Sequence, residues 1–173
     1  MPKVANSFDP AHVEWRRVTD PATTEYKVDF EFSLLGYDLE SGRLDMLLRY
    51  GRDYGHCRRH RHVAATATLV LEGEQQVTDI RPDGSLAATV CRKKGDYALA
   101  AADAHPHNEC GGADGGTVLL SMHAGVDGVL FEYFDENMAN PWQLTIRDYV
   151  DAWERGCVYG ERPGGGTAAA AAE

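Results

Sequence analysis

Four of the seven histidines stand in two clusters, Arg58-Arg59-His60-Arg61-His62 and His105-Pro106-His107. On an extended strand, residues i and i+2 project from one face, so His60 and His62 can aim at one point while Arg59 and Arg61 turn away. Imidazoles at that spacing can grip a single cation. A third from the segment carrying His105 and His107, about 45 residues later, would complete a three-nitrogen site. A lone His-x-His matches by chance in many chains, and a basic run of this kind also suits a solvated patch or an anion site. Context favours the metal, because the motif lies between strand-like segments and runs into an apolar strand, residues 63–74, that ends on a glycine turn.

Neighbouring residues offer support for such a site. Thr66 and Thr68 share the strand face of His62 if no bulge intervenes, and can hydrogen-bond a ligand or a water behind it. Asn108 and Glu109 follow the third histidine and can orient it, since a ligating imidazole commonly donates its second N–H to an acceptor. His56 and Cys57 lie just before the motif and carry no assigned role. The glycine-rich stretch 111–116 is not a phosphate loop, because no Lys-Ser/Thr pair and no helical pattern follow it; a mobile connection is expected there.

The elements that must position these residues are mostly strands. Residues 26–34 place an apolar side chain at every second position, and Leu44, Met46, Leu48 and Tyr50 repeat the period after a turn over 36–42. Further short runs at 67–71, 74–80, 85–91, 97–101, 117–122 and 129–134 point to an all-β sandwich or barrel. One helix is expected, opened by Thr145 with Asp148 three places on, and burying Ile146, Tyr149, Val150 and Trp153 over an open end of the barrel.

Length and composition set the frame. A chain of 173 residues, 43% hydrophobic and 25% charged, suits one globular domain. The domain is placed at 1–160, with a disordered Gly/Ala-rich tail at 161–173. The net charge of −10 repels phosphate backbones and anionic headgroups, so neither nucleic acid nor membrane is an expected partner. With no secretory pattern at the start and no long apolar span, a cytoplasmic protein is expected, with Cys57, Cys91, Cys110 and Cys157 as free thiols.

These motifs resemble the cupin superfamily. Many cupins carry His-x-His, a strand, and a glycine eleven places on, which His60, His62 and Gly73 match. Their second motif opens with glycine and closes on Pro-His before a strand, which Gly95-Asp96-Tyr97 and Pro106-His107 resemble over a region reaching from 36 to 134. The chain departs from the pattern twice. Thr66 stands where many cupins place a ligating Glu, and residues 100–104 replace the usual Pro-x-Gly turn. His107 fits the spacing best as the third ligand, with His105 as the alternate. A His-Arg-His motif without that Glu is similar to the three-histidine cupin dioxygenases that cleave acetylacetone or dihydroxyacetophenone.

The resemblance implies a double-stranded β-helix, or jelly-roll barrel, with a C-terminal helix. It implies iron(II) at His60, His62 and His107, with zinc or nickel also able to bind, and a small diketone or hydroxyketone cleaved at a C–C bond by O2. It further implies a homodimer. A different class, a zinc-binding cupin acting as a sensor or small-ligand module, uses the same ligands, and metal analysis with an oxygen-uptake assay separates the two.

Overall fold

The computed structural model describes residue 11 and residues 13–156. Cys157 and the 161–173 tail lie outside the described residues. Among the described residues ten strands and one helix follow one another: β1 (Arg16–Asp20), β2 (Val28–Asp38), β3 (Arg43–Tyr50), β4 (His60–His62), β5 (Ala65–Ile80), β6 (Leu86–Lys93), β7 (Tyr97–Ala100), β8 (His107–His123), β9 (Val129–Tyr133), β10 (Trp142–Thr145) and α1 (Ile146–Arg155). The strands form one curled sheet in the order β1-β2-β3-β8-β4-β9-β10, and β5 pairs with β6, β7 and β8.

Alternation builds the core. Phe30 and Phe32 on β2 and Met46 and Leu48 on β3 are buried, and burying each such side chain stabilises the fold by about 2 kcal/mol. Val118, Leu120 and Met122 of β8 continue the same cluster. The helix is fixed by its first turn: Asp148 N donates to Thr145 Oγ1 at 3.3 Å while Thr145 N donates to Asp148 Oδ2 at 2.7 Å. It packs against β2 and β10, with Tyr149 edge-on to Phe32 at 5.5 Å. Ile146, Tyr149 and Ala152 are buried, whereas the expected Val150 and Trp153 are only partly so. Among the described residues no helix is long and apolar enough to cross a membrane, and Cys57, Cys91 and Cys110 are free.

Two expectations are corrected. The segments 67–71 and 74–80 are one strand, β5, whose register against β8 shifts on either side of Gly73, which takes φ +62°. The glycine stretch 111–116 is no mobile connection but the middle of β8, and Gly111, Gly112, Gly115 and Gly116 are buried. The backbones approach too closely there for side chains: a Cβ on Gly111 would meet Tyr50 Cβ at 2.8 Å, and one on Gly116 would overlap the Glu74 carbonyl.

Candidate metal centre

The three-residue strand β4 lies between β8 and β9. Opposite His60, Arg61 and His62 on β9 stand Tyr133, Glu132 and Phe131, and His60 also pairs with His107 of β8. The pleat sends Arg61 outward to Glu132 at 2.6 Å and Asp103 at 3.0 Å. It sends His60 and His62 inward, where Phe131 stands edge-on to both rings at 5.4 and 5.0 Å. Two residues along β8 from His107, Glu109 projects to the same side.

Ligand atoms of His60, His62, His107 and Glu109 all lie within 4.8 Å of one another, and the four residues are buried. Each ring is oriented through Nδ1. His60 Nδ1 lies 2.7 Å from the Arg58 carbonyl and His107 Nδ1 lies 2.8 Å from the His105 carbonyl. A carbonyl only accepts, so both nitrogens carry the proton. His62 Nδ1 lies 2.7 Å from Thr66 Oγ1, which itself donates to the Ala64 carbonyl at 3.1 Å and therefore accepts from the ring. In the neutral rings all three Nε2 atoms are thereby left with lone pairs.

Those lone pairs face a carboxylate. Glu109 Oε1 is 3.4 Å from His107 Nε2 and 3.8 Å from His62 Nε2, and Oε2 is 4.0 Å from His60 Nε2. Tyr50 donates its hydroxyl to Oε2 at 2.9 Å and Gln75 Nε2 donates to Oε1 at 3.3 Å, which holds the carboxylate in place. Burial, helped by His107, pushes His60 down to about 4, and burial pushes His62 well below its ordinary value. At His107 burial also pulls downward, but the Glu109 carboxylate outweighs it and the ring is raised. Burial alone would raise Glu109, yet the surrounding imidazoles hold it far below the usual carboxylate range.

The donor set fits a divalent cation. Three imidazoles and one carboxylate converge on one buried point, and His107 Nε2 is buried without a hydrogen-bond partner among the described residues. A cavity of about 330 Å³ opens beside His62, His107 and Glu109, walled by Thr68, Val77, Arg92 and residues 98–105.

The structure thus brings together the rings of His60, His62 and His107. The ring of His105 is exposed at the cavity rim, and this residue reaches the cluster through its carbonyl alone. Thr66 touches His62 directly, and Thr68 is buried on the cavity wall. Asn108 alternates to the other face, opposite Thr78. Sequence reasoning gave Glu109 the part of orienting His107, whereas its carboxylate faces all three Nε2 atoms. The signal was present, since His107 and Glu109 have the same i, i+2 spacing as His60 and His62. Tyr50, Gln75 and Arg92 were missed, and only strand register brings them here.

No family model matches the chain, and no curated protein matches it in sequence. Its fold is similar to that of several crystal structures. A proposed acetylacetone dioxygenase from Methylibium petroleiphilum PM1 superposes with a TM-score of 0.59 at 17% identity, over 84% of this chain and 92% of that one. The acetylacetone dioxygenase from Acinetobacter johnsonii gives 0.58 at 12% identity, over 80% and 87%. A cupin 2 conserved barrel domain protein from Rhodopseudomonas palustris gives 0.51 at 14% identity, over 85% and 90%. At these identities the likeness is one of fold.

Proposed function

Starting from the cupin fold, we propose that the chain holds a divalent metal, iron(II) in the cell, through His60, His62, His107 and Glu109, and uses it with O2 to cleave a C–C bond of a small diketone or hydroxyketone. The observation that carries this reading is the convergence of three outward-anchored imidazoles and one carboxylate on a buried point that opens to a cavity. Two similar folds belong to proteins described as acetylacetone dioxygenases, which supports the reaction class.

A bound metal would supply a Lewis acid for the substrate oxygens and a redox partner for O2. The chain supplies the rest. Arg58 and His105 carbonyls and the Thr66 hydroxyl keep the Nδ1 protons turned away, so the Nε2 lone pairs stay aimed inward without reorganisation. Glu109 offsets one of the two positive charges, and the remaining one favours an anionic oxygen such as an enolate. Val77, Ala98 and Ala100 give the cavity apolar walls that limit water around the reacting carbon.

The test is elemental analysis of the purified protein, followed by anaerobic loading with iron(II) and oxygen-electrode measurements over a panel of diketones and hydroxyketones. Oxygen uptake that disappears in H60A and H62A supports the reading. Iron-loaded protein that consumes no oxygen with any member of the panel overturns it. Three nitrogens and one oxygen also form a closed tetrahedral zinc set. Zinc retained through purification, together with no oxygen uptake, would assign the chain to the sensor or ligand-binding class instead.

A further inference from the structure

Arg92 is the one guanidinium on the wall of the cavity beside the metal centre. In the β5/β6 register it stands opposite Gln75, so the two side chains project from the same face of the pair. Its Nη1 donates to Gln75 Oε1 at 2.9 Å. That is the only hydrogen bond of its side chain among the described residues, and no described carboxylate lies within ion-pair distance of the guanidinium. A guanidinium has five N–H donors in a planar fork and no acceptor, so most of its donors are left to whatever occupies the cavity. The acidic groups on the same wall have other engagements or positions: Glu109 belongs to the donor cluster, Asp103 pairs with Arg61 at 3.0 Å, and Asp79 is exposed at the rim.

Gln75 connects this guanidinium to the metal end of the cavity. Its Oε1 is taken by Arg92, which turns its Nε2 toward Glu109 Oε1 at 3.3 Å and Tyr50 Oη at 3.2 Å. One buried amide therefore fixes the separation between a cation and the metal-facing carboxylate. A ligand that spans the cavity meets both ends at once.

We infer that Arg92 is an anion subsite, and that the substrate carries a carboxylate in addition to the oxygens it presents to the metal. Resting on the reading of the cluster as a metal centre, this narrows the substrate class to a small diketo or hydroxyketo carboxylic acid. The planar fork can take a carboxylate through two parallel N–H bonds, which a lysine cannot reproduce. A neutral diketone would leave the guanidinium facing an apolar group.

Acetylacetone and acetylpyruvate form a matched pair, because the second replaces one methyl of the first with a carboxylate. Calorimetric titration of zinc-loaded protein, in which no turnover occurs, is expected to give acetylpyruvate at least about tenfold tighter binding, the scale of a hydrogen bond to a charged group. R92Q is expected to remove that preference and R92K to retain part of it, both read as the ratio of the two probes' affinities at equal zinc loading, because Arg92 also steadies Glu109 through Gln75. Equal binding of the two probes by the native chain, or an undiminished preference in both variants, overturns the proposal. If the chain takes up no metal, the metal reading fails by itself. Thermal denaturation of the metal-free protein with acetylpyruvate then tests Arg92 separately. Stabilisation that R92Q abolishes supports the subsite, and none in the native chain overturns it.

Discussion

Thr66 is the only side chain that holds one of the three rings by Nδ1; the other two are held by backbone carbonyls. Replacing it in T66V keeps the shape of a fully buried residue and removes the acceptor. His62 Nδ1–H is then left without a partner, and metal affinity is expected to fall by about 10- to 100-fold, read by competition with a chromophoric chelator while circular dichroism stays unchanged. The metal-free cluster also sets a pH dependence. His60 is held at about 4 against an ordinary 6.5, so within that window the unfolded chain takes up a proton that the folded chain refuses. Stability therefore drops as the pH falls through the window, by about 3 kcal/mol from this ring alone. His62 adds in the same direction. The contribution of the raised His107 is complete below its ordinary value, and Glu109, held far down, keeps its own until the pH falls below the ordinary carboxylate value of 4.5, where its loss adds to the drop near pH 4. Urea denaturation of chelator-treated protein at neutral pH and near pH 4 measures the difference. Of this cluster, His60 and His62 were legible as a strand pair and Thr66 as their neighbour on one face. Tyr50 and Gln75 were not legible, because their hydrogen bonds to Glu109 join residues 59 and 34 positions apart.

Among the elements, the glycines of β8 give the sharpest test of why the strands sit where they do. G116A puts a methyl into the Glu74 carbonyl, which belongs to a paired strand and cannot turn aside. A loss of roughly 3 kcal/mol in urea denaturation is expected. G36A meets nothing within 4 Å and has no positive φ, so it should be close to neutral. Alternation located β2 and β3, a short apolar run located β9, and the Thr145 and Asp148 pair located the helix start, because these signals are local. Continuation of β5 through Gly73, and of β8 through four buried glycines, could not be read that way. A glycine pair reads as a loop unless the partner backbone that crowds it is known.

At the scale of the molecule, the spacing of short apolar runs was enough for an all-β barrel or sandwich, and the paired histidine motifs narrowed it to the cupin fold. The placement of β4 between β8 and β9 was beyond reach, since the partners are distant in sequence and the strand has three residues. That placement also governs events in time. The donors come from β4 and β8, which meet through His60 and His107, 47 positions apart. The site therefore does not exist until long-range pairing is finished. Ions added during refolding should leave the folding rate unchanged and slow the unfolding rate in proportion to the stability they add. Stopped-flow kinetics with and without zinc checks this. The ion would then act as a latch closed behind a finished barrel, lengthening the lifetime of the folded state while the route to it stays the same.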